Sequence, residues 1–136
     1  MRIDELVTRL AKLLAIETIE FDPEGFAQIF VDDVNINLIK RGSALILQTK
    51  IADPLEDEFE QTRLLRQLLR IQAARTGDPW QARETLTVDP ANRDILVVRS
   101  MIAEETDDTN LNAALEDFVN ASELWRAIAT ENKVGV

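Results

Sequence analysis

The chain contains no cysteine and no histidine, and only four glycines and four prolines among its 136 residues. Without thiols or imidazoles there is no disulfide framework, no zinc site of the Cys/His kind, no Ser-His-Asp triad and no histidine acid/base. Catalysis would fall to carboxylates, hydroxyls and the four lysines Lys12, Lys40, Lys50 and Lys133. Gly25, Gly42 and Gly77 are isolated, so no glycine-rich phosphate loop exists. No uninterrupted apolar run exceeds four residues (Ala44 to Leu47 is one), against the roughly 18 that a membrane span requires. Met1-Arg2-Ile3-Asp4-Glu5 carries an early carboxylate pair where a signal peptide would be basic and then apolar. The protein is therefore expected to be soluble, to stay in the cytoplasm and to leave membranes alone.

Negative charge is plentiful. Asp and Glu number 25 against 15 Lys and Arg, a formal charge of −10. Such a chain repels a phosphate backbone unless its arginines gather on one face, so no nucleic-acid partner is expected. From Ser100 to the C-terminus there are eight carboxylates and two basic residues, which puts much of the imbalance in the last quarter.

Apolar residues at Ile3, Leu6, Val7, Leu10, Leu13 and Leu14 follow the i, i+3, i+4, i+7 spacing of one helical face, with Asp4 and Glu5 suited to the first turn. The spacing predicts a helix ending near Ile16, before a turn at Phe21-Asp22-Pro23-Glu24-Gly25. Three β-prone stretches follow, Phe26 to Val31, Val34 to Lys40 and Ala44 to Ile51, with Arg41-Gly42-Ser43 as a tight turn. They read as an antiparallel meander, wet on the face of Asn35 and Asn37 and apolar on that of Ile36 and Leu38.

Asp53-Pro54-Leu55-Glu56 has the form of a capping box, which predicts a long helix from there to about Arg75, stopped by Gly77 and Pro79. Within it Leu64, Leu65, Leu68, Leu69 and Ile71 span about 160° of the helical wheel, wider than one core contact needs. Arg63, Arg66 and Arg70 form a basic stripe opposite. Trp80 lies in the loop that follows, and Glu84 to Val88 and Ile95 to Met101 read as two more strands around Asp89-Pro90-Ala91-Asn92. A third helix follows Glu104-Glu105-Thr106-Asp107-Asp108, with Leu111, Ala114, Leu115, Phe118, Ser122, Trp125 and Ala129 on one side; Asn132 to Val136 should fray.

The order α-β-β-β-α-β-β-α implies an α+β fold, helices packed on a twisted antiparallel sheet, and one domain over residues 1–136. Paired acids are the one catalytic resource left. Neighbours on a strand point to opposite faces, however, so Asp32 and Asp33 do not converge on one ion, and Asp22, Asp32 and Asp107 all fail to open an EF-hand loop. They read as turn and solvated residues. No metal, no cofactor and no enzymatic activity are expected. The broad apolar face of the second helix asks for a partner, and a two-fold contact would bring the same leucines together from two chains.

Three stretches resemble the class I chaperones of bacterial type III secretion. Leu10-Ala11-Lys12-Leu13-Leu14-Ala15-Ile16 leading into Phe21-Asp22-Pro23-Glu24-Gly25 is similar to the family's leucine-rich first helix, Phe-Asp and turn Gly. Phe30-Val31-Asp32-Asp33-Val34-Asn35-Ile36-Asn37-Leu38 is similar to its strand-turn-strand with an acidic pair, and Leu115-Glu116-Asp117-Phe118 to Trp125-Arg126 resembles its closing helix. The family often has Gly before the Phe-Asp turn, where Ala15-Ile16 stands here, and Asn late in the second helix, where Ile71-Gln72 stands.

The resemblance implies a cytoplasmic homodimer that holds the N-terminal segment of a secreted effector in extended form, with the secretion apparatus as a further partner. An extended client can add its backbone to a sheet edge and seat alternate apolar side chains in grooves. On this reading Leu6, Leu10, Leu13, Ile29, Val31, Ile36 and Leu38 contribute to client grooves, some of them also to the core, and Leu64, Leu65, Leu68, Leu69 and Ile71 form the dimer interface. The competing readings are a regulatory or protein-interaction domain of the same topology unrelated to secretion, and a carboxylate-dependent enzyme.

Overall fold

Helix α1 spans Ile3–Leu13 and buries Leu6, Leu10 and Ala11, as its apolar spacing requires. Its end is a Schellman motif: the Ile16 N–H donates to the Ala11 carbonyl at 3.0 Å and the Ala15 N–H to the Lys12 carbonyl at 3.1 Å. Ala15 therefore sits at φ 57°, a left-handed conformation that glycine adopts without steric penalty. The structure, a computed structural model, describes residues 1–75 and 84–134. Gly77, Pro79 and Trp80 lie outside the described residues.

The element order is that read from the sequence: β1 Phe26–Val31, β2 Val34–Arg41, β3 Ala44–Ala52, α2 Glu58–Arg75, β4 Thr85–Val88, β5 Ile95–Ile102, a single 3-10 turn Ala103–Glu105, and α3 Asp108–Val134. The five strands form one sheet in the order β1-β2-β3-β5-β4, so β1 and β4 are its edges. The fold is α+β, with antiparallel pairing at β1–β2, β2–β3 and β4–β5. Residues 1–49 with 99–119 make one compact unit, and the described residues of 50–98 and 120–136 a second.

In the first unit the meander is set by its turns. Val31 faces Val34 across Asp32 and Asp33, whose φ values of 50° and 66° are the two left-handed centres of a type I′ turn. Asp32-Asp33 is thus a hairpin turn, as expected of it. Arg41 faces Ala44 across Gly42 and Ser43, with Gly42 at φ 62° as the first central residue of a type II′ turn demands. Ahead of β1, the Asp22 carboxylate accepts the N–H groups of Glu24 and Phe26, both at 2.9 Å, while the Asp22 N–H donates to the Phe26 carbonyl at 2.8 Å. Gly25 takes φ 89°, and a Cβ there would meet the Lys40 carbonyl oxygen at 3.0 Å, so this turn admits no side chain without strain. Lys40 also rests over the Phe21 ring, 4.5 Å from its centroid.

Alternation follows. Ile29, Val34, Ile36, Leu38, Leu45, Leu47 and Thr49 are buried, and the Thr49 hydroxyl donates to the Asn35 carbonyl at 2.7 Å. Asp107 caps α3 through the Asn110 N–H at 2.8 Å, and Asp108 pairs with Arg9. The acidic run ahead of the third helix is therefore put to capping and pairing. All seven residues assigned to one side of that helix are buried, from Leu111 to Ala129. The helix continues to Val134, beyond the Asn132 at which fraying is expected.

In the second unit the helix begins later than the Asp53 motif predicts. Asp57 is the cap, accepting from the N–H groups of Phe59 at 2.8 Å and Glu60 at 3.2 Å. Asp53 instead receives a hydrogen bond from the Lys50 ammonium at 2.7 Å. The cause lies in Gln61, buried at 4% exposure, whose side-chain oxygen accepts the Leu55 N–H at 2.8 Å and whose amide donates to the Arg93 carbonyl. That bond engages the Leu55 N–H outside the helix. One turn from the far end of α2, Gln72 accepts the Leu86 N–H of β4 at 2.6 Å, and the buried Trp125 indole donates to Glu84 at 3.2 Å.

The turn geometry generates a stability prediction. Ala15→Gly and Asp33→Gly each should raise the unfolding free energy by about 0.5–1 kcal/mol, because relief of a left-handed L-residue outweighs the freedom glycine adds to the unfolded chain. Gly25→Ala should lower it by about 1–2 kcal/mol, with steric contact at Lys40 adding to the φ penalty. Urea unfolding of the three variants reads all three signs.

Candidate functional site

The open edge of β1 follows from hydrogen-bond phase. In an antiparallel ladder, alternate residues turn their N–H and C=O toward a given neighbour. The Lys40 N–H donates to the Gly25 carbonyl at 2.9 Å, so Gly25, Ala27, Ile29 and Val31 face β2. Phe26, Gln28 and Phe30 direct their backbone groups the other way. Phe26 is already satisfied by the Asp22 turn, which among the described residues leaves Gln28 and Phe30 as the backbone of an available edge bounded by two turns.

The same three residues place their side chains on the outer face of the meander. The register sets Phe26 beside Ile39 and Ile39 beside Ile46, an apolar row across three strands. The next row is Gln28, Asn37 and Gln48, with the Gln28 amide donating to Asn37 at 3.4 Å. Beyond it Phe30 faces Asn35. Phe26 is 41% and Phe30 70% exposed, while Ile39 and Ile46 are half-buried. A surface that alternates apolar, amide and apolar rows next to unpaired backbone can receive an extended peptide through both main chain and side chains.

Of the residues expected in client grooves, Leu6, Leu10, Ile29, Ile36 and Leu38 are buried at 5% exposure or less. Those five belong to the core, and strand parity sets Ile29, Ile36 and Leu38 on the opposite side of the meander from the Phe26 and Phe30 face. Val31 is half-buried, and Leu13, at the end of α1, is 41% exposed next to an exposed Ile16. Phe26, Phe30, Ile39 and Ile46 went unrecognised as surface residues. The signal was present in the period-two pattern of Phe26, Gln28 and Phe30, but Asn35 and Asn37 of the middle strand made that face read as uniformly wet.

On α2, Leu64 and Leu68 are buried, Leu65 and Ile71 half-buried and Leu69 exposed. Leu64 and Leu68, expected at a subunit interface, are thus core positions, since nothing is left of them for a partner to cover. Arg63, Arg66 and Arg70 are exposed, and Arg63 pairs with Glu60 at 2.6 Å. Phe59, at 74% exposure, joins their side of the helix.

Among the described residues, no group of three or more Asp or Glu residues could hold a metal ion. Lys50 has its pKa raised above the ordinary lysine value by the hydrogen bond it donates to Asp53 and by the charges of Asp53 and Asp94, which stabilise the ammonium form it already has at neutral pH. Among the described residues, no helix is long and apolar enough to cross a membrane.

Solved structures share this fold. One belongs to the HopA1-SchA chaperone-effector complex, at 18% identity and TM-score 0.66, covering 91% of this chain and 92% of the other. The Yersinia pestis type III secretion chaperone SycH, in complex with a stable fragment of YscM2, matches at 17% identity and TM-score 0.64, covering 89% and 97%. An uncharacterized protein from Methanothermobacter thermautotrophicus matches at 13% identity and TM-score 0.62, covering 94% and 96%. No curated protein matches the sequence significantly. The Tir chaperone protein (CesT) family model matches residues 5–126, nearly the whole length of the two units described above, and the chain belongs to that family.

Proposed function

We propose that the protein is a non-catalytic type III secretion chaperone that binds the N-terminal segment of one or more secreted effectors in extended form, before secretion, in the bacterial cytoplasm. The observation that carries this reading is the short open edge of β1, with unpaired Gln28 and Phe30 backbone beside the exposed Phe26 and Phe30 rings. Membership of the CesT family supports it, as does the likeness to chains from chaperone-effector complexes. A client strand added here gains main-chain hydrogen bonds that do not depend on its sequence, while the apolar rows select where its larger side chains fall. Ordering the client opposes binding, so contacts beyond this edge are needed, and exposed Leu13 and half-buried Val31 are proposed to supply some of them.

We further propose that the working form is a homodimer held through α2, with Leu65, Leu69 and Ile71 as the members of the leucine set that reach the surface. An uncharacterized protein from Methanothermobacter thermautotrophicus shares the fold. A regulatory interaction domain is the second reading. It predicts binding to partners other than a secreted effector.

Backbone recognition has a direct test. Gln28→Pro removes an edge-facing N–H and no ladder bond, so the variant should fold with nearly unchanged stability yet lose at least tenfold in co-purification with the N-terminal segment of a secreted effector that the wild type retains on co-expression. Ile29→Pro, which removes an N–H facing β2, should unfold the hairpin. Full client binding by a folded Gln28→Pro protein would exclude strand addition at β1, and failure of the wild type to retain any secreted effector would exclude the chaperone reading.

A further inference from the structure

The stretch that carries the β1 edge has no basic residue. Between Lys12 and Lys40 there are six carboxylates, at positions 17, 20, 22, 24, 32 and 33, and no lysine or arginine. Four of the six bracket the strand: Asp22 and Glu24 stand before Phe26, and Asp32 and Asp33 follow Val31. All four are exposed, and among the described residues none of them makes an ion pair. Turn chemistry explains part of this. Asp22 holds the turn into β1, and Asp32 and Asp33 take the two left-handed centres of the hairpin. Asparagine does either job without a charge, so the turns account for the shape of these side chains and not for their ionisation. The two ends also differ. Beside the Asp22 turn, Lys40 lies over the Phe21 ring and its N–H donates to Gly25, so one ammonium offsets part of the acidity there. Asp32 and Asp33 have no basic residue closer in sequence than that same Lys40, at the opposite end of β2.

We propose that the β1 edge selects an extended segment bearing arginine or lysine next to its apolar residues, with that cation placed beside the Phe30 ring and the Asp32-Asp33 turn. The inference rests on strand addition at β1 and goes beyond it by naming the charge of the segment and the residues that read it. A client residue paired with Phe30 is followed, two residues and about 7 Å further along, by one that comes level with the turn on the same face. A basic side chain there meets two carboxylates and an aromatic ring that is 70% exposed. An exposed ion pair or a cation over a ring strengthens binding by up to about fivefold each. Charge also decides against the other occupant that an open edge invites, a second copy of the same strand. Two β1 strands paired antiparallel would bring Asp22 and Glu24 of each toward Asp32 and Asp33 of the other, and paired parallel would bring each acid toward its own counterpart. Acid opposes acid in both arrangements, whereas a basic segment is attracted at both ends.

Amide resonances of the full chain, titrated with three synthetic peptides, test this. The peptides share a core of alternating valine and threonine and carry two arginines, two glutamines or two glutamates at each end. The arginine peptide should shift the Gln28 and Phe30 amides and bind at least fivefold more tightly than the glutamine peptide, with the glutamate peptide weakest. In D32N/D33N, whose asparagines suit the same turn, the advantage of arginine over glutamine should fall at least twofold while the glutamine peptide binds as to wild type. Arginine and glutamine peptides that bind within twofold of one another at these amides would overturn selection by charge and leave strand addition standing. An arginine preference untouched by D32N/D33N, or one read only at the acidic start of α3, would overturn the assignment to this turn. Broadening of the Gln28 and Phe30 amides with protein concentration alone would make a second copy the occupant and overturn the proposal. If no peptide shifts either amide, strand addition at β1 fails together with it.

Discussion

A strand at the end of a sheet turns alternate backbone groups away from its one neighbour, and here the Asp22 turn decides which of them stay open among the described residues. By accepting the Phe26 N–H and donating to the Phe26 carbonyl, Asp22 closes the first available position of β1. The Lys40 to Gly25 hydrogen bond, possible because Gly25 brings no side chain against Lys40, fixes the phase of every pair after it. Those two features set which side chains face outward, where the edge opens and where it stops at the Asp32-Asp33 turn. An unprotected edge is an aggregation hazard. This one is limited to two residues' worth of backbone, which reduces the hazard while leaving room for one short strand.

The fold was largely legible because its signals are local and mutually consistent. The period of α1, the alternation in β1 to β3 and the seven-residue stripe of α3 each arise from burial of one face, and burial is what sequence periodicity records. The start of α2 departs from its local pattern for a physical reason. Asp53-Pro54-Leu55-Glu56 has every local mark of a cap, but the buried Gln61 takes the Leu55 N–H and lets Asp57 cap instead. A side chain reaching six residues back is outside what a capping pattern can express.

The site was less legible than the fold, since apolar character indicates that a residue is buried somewhere without saying by what. Leu6, Leu10, Ile36 and Leu38 are as apolar as a client groove would require, and the chain itself covers them. Phe26 and Phe30, equally apolar, are left to the solvent because strand parity turns them outward. Only the register, a non-local property, separates these two outcomes. The same holds on α2, where Leu68 is fully buried and its neighbour Leu69 half-exposed. Net acidity fits this arrangement, because a charge of −10 helps keep a protein with uncovered phenylalanines soluble.

Amide hydrogen exchange on the chaperone, with and without the effector segment bound, tests the central claim most directly. In the free protein the Gln28 and Phe30 amides should exchange quickly, while those of Ala27 and Ile29 are protected by β2. Binding should slow exchange at Gln28 and Phe30 by at least tenfold and leave Ala27 and Ile29 nearly as before. If a bound client leaves the Gln28 and Phe30 amides as fast as in the free protein, recognition does not proceed by strand addition at β1.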